Sequence, residues 1–291
     1  MAEPVAGSSS TAVWNLLPGP DQFKLLRHSV HAQDRHAEFT ILTDHQTAVC
    51  GSLGCHHVVR GDIDQSEVML ARARLQYQFI LDHDFRTPVI FIDTDILVFK
   101  DIRHLFDQPF DIGLTVRANE EMPVNGGILF VNNKNPEAAR QFFRQLLSLI
   151  EAQGKDERNW YGDQYALAQI IGKRLAQDGT GTVIEAAGAR ILILPSDRYN
   201  YSPKASRPNL FKGLDDISVY HFKGRSRTYM KAFWDYRIDP ARARWKRLGI
   251  VLLAKALLLE IDRYRQKSHF RSDVRRVMRK TRDGEGARAG R

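Results

Sequence analysis

Cysteine is scarce, with only two in 291 residues. That excludes a disulfide-stapled secreted scaffold. Long apolar runs are lacking as well. The longest, Leu248 to Ala254, is far short of the roughly 20 residues that a membrane span needs. There is no internal repeat and no low-complexity block. Residues 1–10 hold no Lys, no Arg and no apolar run, so no secretory signal is expected and the expected setting is the cytoplasm, with reduced thiols. Cys50-x4-Cys55-His56-His57 invites a zinc reading. Its spacing is uncommon for structural zinc and no second ligand pair follows, so a loop entering a strand is the preferred reading.

What is present is a chain long enough for one large domain or two small ones. Apolar residues make up 43% and charged residues 26%, ordinary values for a soluble globular enzyme. The net charge of +9 is unevenly spread. From Lys223 onward there are 21 Lys/Arg against 7 Asp/Glu, whereas residues 1–222 hold 22 against 27. A mildly acidic body with a strongly basic tail points to an anionic partner for the tail, either nucleic acid or a membrane surface.

Residues 1–10 read as a disordered lead, 11–240 as the folded domain and 241–291 as a basic tail. Thr11 to Trp14 reads as a short strand and Asp21 to Ala32 as a helix. Phe39 to Thr43 and His56 to Arg60 read as strands, and Ser66 to Leu81 as a helix with Met69, Ala73, Tyr77 and Ile80 on one side. Val89 to Ile92 is a continuous apolar run, expected to be a strand buried on both faces. Ile112 to Val116, Gly127 to Val131 and Ile191 to Leu194 are further strands. Pro136 to Glu151 and Gly162 to Ile171 are helices, the first with proline at its start. This alternation predicts an α/β domain around a largely parallel sheet. In the tail, Arg242 to Lys267 predicts one long helix that interleaves Leu248, Val251, Leu252, Ala256, Leu259 and Tyr264 with basic residues. That pattern suits a helix lying in a membrane interface, with Arg242 to Lys280 on anionic lipid. The other reading packs the same apolar face on the domain.

Four segments carry chemistry. In Phe91-Ile92-Asp93-Thr94-Asp95 two carboxylates stand at the end of a buried strand, and residues i and i+2 of an extended chain point to one side. Two such carboxylates repel unless a cation joins them. Hard oxygen ligands suit Mg²⁺ or Mn²⁺, which also bind substrate phosphates. Read alone, Asp-x-Asp is equally a polar turn closing a strand. In Asn125-Gly126-Gly127 the glycines allow close approach of backbone to a ligand, and Asn125 suits sugar hydroxyls; a tight turn is the plain alternative. Asp163-Gln164 opens a helix, where either residue also serves as a simple cap. Finally, His221-Phe222-Lys223-Gly224-Arg225-Ser226-Arg227 delivers an imidazole and then cations suited to a diphosphate.

These segments, in this order, resemble the GT-A glycosyltransferases, and most nearly glycosyltransferase family 8, over roughly residues 11–230. The resemblance implies a GT-A fold with a mostly parallel mixed central sheet. It implies Mn²⁺ or Mg²⁺ on Asp93, Asp95 and His221, gripping the diphosphate of a nucleotide sugar, usually a UDP-sugar. It places Asn125, Gly126 and Gly127 against the donor sugar, and Asp163 and Gln164 beside its ring as the catalytic pair. Ala12, Trp14, Thr43, Arg74, Asp93, Thr94, Gly224 and Arg227 would contact the nucleotide or diphosphate. Arg227 stands where the family has lysine, and Tyr165 where an acidic residue often follows the Asp-Gln pair. The implied reaction is metal-assisted hexosyl transfer with retention onto a glycan acceptor; the reading of the tail adds a lipid-linked acceptor and a protein peripheral to the inner face of the membrane.

Two readings compete. A phosphatase of the haloacid dehalogenase class also places Asp-x-Asp after an apolar strand, with Asp93 as nucleophile, Asp95 as acid and Asp215-Asp216 as late metal ligands. It wants Thr or Val where Leu97 stands. A non-enzymatic reading makes the basic tail the main function, but no nucleic-acid motif or stacking platform is present, so no specific nucleic-acid partner is expected.

Overall fold

The structure is a computed structural model that describes residues 19–49, 51–64, 66–117, 123–155, 158, 161–172, 179–202, 216–227, 230, 231, 233 and 234. The lead at 1–10, the strand expected at 11–14 with Ala12 and Trp14, and the basic tail at 241–291 all lie outside them.

Among the described residues the helices are α1 (Gly19–His31), α2 (Val68–Asp82), α3 (Pro136–Glu151), α4 (Gly162–Ile171) and the single turn α5 (Ser196–Tyr199). The strands among them are β1 (Thr40–Asp44), β2 (His57–Gly61), β3 (Val89–Ile92), β4 (Ile96–Val98), β5 (Ile112–Val116), β6 (Val124–Val131), β7 (Val183–Ala186), β8 (Ala189–Pro195) and β9 (Val219–His221). The main sheet has five strands in the order β3-β6-β5-β8-β7. β1 pairs with β2 in parallel, and β4 pairs with β9 in antiparallel.

The sheet is mixed, but the largely parallel character expected from the sequence is not what forms. β3–β6, β5–β6 and β7–β8 are antiparallel, and only β5–β8 is parallel. Connection length explains this. Ala187 and Gly188 alone join β7 to β8, and both have positive φ (53° and 72°). Such a two-residue turn closes only an antiparallel hairpin, while a parallel return needs a longer crossover. The long path from β6 through α3 and α4 enters β7 running opposite to β5, and the hairpin then lays β8 parallel to β5.

β3 is also less buried than expected. It lies at the edge of the five-stranded sheet, and only Phe91 is fully buried. β6, one strand in, is buried at all eight residues. Its alternation feeds two cores. Leu129 and Val131 join Ile112, Leu114, Ile191 and Ile193 under α2, α3 and α4. Ile128 and Phe130 join Leu192, Leu194, Ile96 and Val98 with Phe23 and Leu26 of α1.

α3 shows why the helix limits were readable. Asn135 accepts the amide of Ala138 at 3.3 Å as the N-cap, and Pro136 opens the first turn. Ala138, Ala139, Phe142, Phe143, Leu146 and Ile150 form one buried stripe. On the opposite side of the sheet, Ser29 of α1 accepts the amide of Val98 at 3.0 Å. That bond fixes β4, which turns the chain back just after Asp95.

Candidate metal and diphosphate site

The site is built on the end of β3. Its ladder with β6 runs from Val89 opposite Val131 to Ile92 opposite Ile128. One further bond, Asp93 N–H to Gly127 C=O at 2.9 Å, extends it past the strand. The strand stops at Ile92 and a turn follows, so the two acids converge through that turn and not through strand alternation. β4 then pairs with β9 so that Ile96 faces His221, and Phe222 N–H donates to Asp95 C=O at 2.8 Å. This pairing brings a residue remote in sequence onto the acid pair.

Asp93, Asp95 and His221 form a cluster whose ligand atoms lie within 4.8 Å of one another. His221 Nε2 lies 3.2 Å from Asp95 Oδ1 and 3.7 Å from Asp93 Oδ2. Asp95 is 2% exposed. Its Oδ1 is shut off from solvent and meets no hydrogen-bond geometry with a protein donor, with His221 Nε2 beside it. A buried carboxylate oxygen without a donor needs an explanation, and a cation supplies one. Two hard oxygens and an imidazole suit Mn²⁺ or Mg²⁺. Burial pushes the Asp95 carboxyl upward, but His221 and Arg227 together pull it further down, so it lies below the ordinary range. It is therefore ionised, as a ligand must be.

Cations surround the cluster. Arg227 Nε donates to Asp95 Oδ2 at 2.7 Å. Arg72 Nη2 lies 3.0 Å from Asp93 Oδ1 and donates to Gly126 C=O at 2.9 Å, while its Nη1 is 3.8 Å from Asp163 Oδ2. Lys223 is lowered to about 8 by burial and by Arg117, against the pull of Asp93, Asp95 and Asp163.

The glycine pair is required by the space. A Cβ on Gly127 would collide with Cε1 and Nδ1 of His221, and one on Gly126 would sit 2.7 Å from Asp163 Oδ2. Asp163 is buried at the start of α4, where it accepts the amide of Gln164 at 2.8 Å. Burial raises its carboxyl above the ordinary range, Arg72 opposing and Asp93 reinforcing the shift. Gln164 Oε1 is also buried without a partner, a second acceptor aimed at no protein donor. Asn125 is buried, its Oδ1 3.4 Å from the amide of Gly127.

Thr94 is exposed between the acids, and Gly224 (φ 54°) opens the short 3₁₀ turn to Ser226. Arg74 does not join the site. It points from α2 to Glu151, 2.9 Å away, and Arg72 takes the place at the acids. Two residues along a helix differ by about 200°, so only one of the pair can face the sheet end. Thr43 lies in β1 opposite Arg60 and is not one of the three residues of the cluster. Neither Asn200 nor Thr115 was apparent from the sequence; both stand behind His221. Of the late ligands in the phosphatase reading, Asp216 is exposed and is not in the cluster found among the described residues, and Asp215 lies outside those residues. Among the described residues no helix is long and apolar enough to cross a membrane.

No family pattern matches the sequence, and no curated protein is similar to it. Solved structures are similar at low identity. The apo glycosyltransferase GlyE of Streptococcus pneumoniae TIGR4 is 16% identical, with 79% of this chain and 58% of that one covered and a TM-score of 0.47. The galactosyltransferase LgtC, in complex with donor and acceptor sugar analogs, is 14% identical, with 80% and 91% covered and a TM-score of 0.42. A glycosyltransferase involved in glycosylation of the major capsid of PBCV-1 is 14% identical, with 67% and 100% covered and a TM-score of 0.43.

Proposed function

We propose that this chain is a GT-A glycosyltransferase, dependent on a divalent cation. It moves a hexose from a nucleotide sugar, in our reading a UDP-sugar, to a glycan or lipid-linked acceptor with retention at the anomeric carbon. The observation that carries the reading is the convergence of Asp93, Asp95 and His221 around an unpartnered buried oxygen. The glycine pair and Asp163-Gln164 stand immediately beside that cluster. A bound Mn²⁺ or Mg²⁺ would be held by the two acids and the imidazole, and would supply positive charge to the departing diphosphate.

The chain's own residues do the rest. Arg227 and Lys223 add positive charge where the diphosphate develops negative charge. Arg72 ties Asp93, Asp163 and the Gly126 carbonyl together, so the two sides of the site hold one geometry. Gly126 and Gly127 let a sugar approach the backbone. Gln164 Oε1 offers an acceptor to a donor hydroxyl or to the electron-poor anomeric centre. Asp163, buried and close to Asp93, orients the donor on the same side.

The test is a thermal-shift screen of nucleotide diphosphates and UDP-hexoses with and without Mn²⁺, followed by detection of nucleotide release. Ligands that bind only the folded chain raise its apparent stability. Stabilisation by a nucleotide that requires Mn²⁺ is expected, with release lost in Asp95→Ala. Full turnover in that variant, or in excess EDTA, would overturn the assignment. The anomer of the product, read by proton NMR, tests retention.

The tail reading is part of the same proposal: Arg242 to Lys280 docks on anionic lipid and brings the site to a membrane-borne acceptor. What supports it is the interleaving of apolar and basic residues there. Flotation with anionic vesicles should be lost when residues 241–291 are removed, and equal flotation of both forms would refute it.

A further inference from the structure

We infer that Asn200 fixes the tautomer of His221, so that the imidazole presents a bare Nε2 towards Asp93 and Asp95, and that the backbone carbonyl of Asn125 fixes Asn200 in turn. The inference rests on His221 being a cation ligand, but not on which group the enzyme transfers.

Asn200 is buried, and its amide meets three groups. Oδ1 lies 2.9 Å from His221 Nδ1. Nδ2 lies 2.8 Å from Thr115 Oγ1 and 3.1 Å from the carbonyl oxygen of Asn125. The two ends of an asparagine amide are told apart by their neighbours. A carbonyl oxygen only accepts, so the end facing Asn125 must be the NH₂. The opposite orientation would press two acceptors together in a buried place. Thr115 agrees: its hydroxyl donates to Asn125 C=O at 3.1 Å, leaving a lone pair for Asn200 Nδ2.

With the NH₂ end assigned, Oδ1 faces His221 and can only accept. Nδ1 therefore carries the hydrogen, and in the neutral ring Nε2 is bare. Free histidine favours the other tautomer, which would aim an N–H at the cation position. The backbone keeps the partners adjacent. Tyr201 N–H donates to Val219 C=O at 2.9 Å, and His221 N–H donates to Tyr201 C=O at 2.8 Å. Asn200 and His221 are thus held side by side while β5 and β6 present Thr115 and Asn125. Asn200 is a positioning residue that acts through His221, the role outer partners of metal-bound imidazoles commonly take.

The experiment uses the full chain labelled with ¹⁵N-histidine, free of metal, at a pH high enough that the ring is neutral. Two-bond ¹H–¹⁵N correlations, assigned by comparison with His221→Gln, report which ring nitrogen carries hydrogen. The wild type should show hydrogen on Nδ1 and none on Nε2. Asn200→Ala should shift the ring towards hydrogen on Nε2 and weaken Mn²⁺ binding, read by electron paramagnetic resonance, by about 10- to 100-fold. Asn200→Asp keeps an acceptor for Nδ1 but sets a carboxylate oxygen against the Asn125 carbonyl, so it should keep the wild-type tautomer and recover the affinity only in part. Hydrogen on Nε2 in the wild type overturns the inference, and that measurement needs no variant to fold. An alanine variant that keeps the wild-type tautomer, or wild-type Mn²⁺ affinity, overturns it as well. The wild-type tautomer with no sugar transfer would count against the proposed reaction and still support the assignment of Asn200.

Discussion

Arg227 Nε holds Asp95 Oδ2 at 2.7 Å, while Oδ1 of the same carboxylate faces His221. One acid is therefore shared between an internal cation and the position proposed for a metal. On the proposed reading, Arg227 competes with that metal for charge when the diphosphate is absent, and is a ready partner for the diphosphate when it is present. Arg227→Gln should tighten Mn²⁺ binding without nucleotide and weaken nucleotide binding in saturating Mn²⁺. The guanidinium is partly exposed, which reduces the effect, so about tenfold in each direction is expected. Calorimetric titrations with Mn²⁺ alone and then with UDP would read both signs, and looser Mn²⁺ binding would contradict the competition.

Asp163 should trade stability for function. Its carboxyl lies above the ordinary range because burial outweighs the attraction of Arg72, with Asp93 adding to the rise. A carboxyl raised in the folded state binds its proton more tightly there than in the unfolded chain. Its contribution to stability is present below the unfolded value and is lost as pH rises through the folded one. Asp163→Asn removes that loss. The variant should melt above the wild type at neutral pH, the gap closing as pH falls, while sugar transfer drops sharply. Melting curves across pH test this, and a variant less stable at neutral pH would refute it.

Gly127→Ala should empty the cation site without unfolding the chain. The added methyl meets the imidazole of His221, which must move away from the acids. Mn²⁺ affinity should fall at least about tenfold, while far-ultraviolet circular dichroism stays that of the wild type. Retained Mn²⁺ affinity would show that the imidazole has another position available.

Asp111→Ala is the opposite case. Buried Asp111 accepts from the amide, Nε and Nη2 of Arg190, joining β5 to β8 away from the acids. The arginine is partly exposed and can rehydrate, so a loss of about 1–3 kcal/mol is expected. Urea unfolding should show that loss with Mn²⁺ affinity unchanged.

Where local signals agree, the sequence alone placed elements closely. α3 combines a capping asparagine, a proline in its first turn and one clean apolar stripe, and its limits follow directly. α2 has apolar residues around most of its circumference, with Leu70, Ala71, Ala73, Leu75 and Ile80 all buried. The pattern therefore leaves its rotation open, and the sequence reading names Arg74 where the fold places Arg72. Strand direction depends on connection length, and the two-residue link at Ala187-Gly188 is visible only once β7, which the sequence reading does not name, is in place. The acids and His221 were legible because their residue types carry chemistry wherever they occur. Asn200 and Thr115 were not, since an asparagine after a short helical turn reads as a cap until the pairing of β9 reveals its neighbour.

The bond from the Asp93 amide to the Gly127 carbonyl adds a rung to the ladder beyond the last residue of β3. The first acid is thereby welded to a strand buried along its whole length. Its amide proton should exchange with solvent only when the whole domain opens, on the clock of β6 and not of the neighbouring loops. Substrate entry must then be managed by parts of the chain other than this acid.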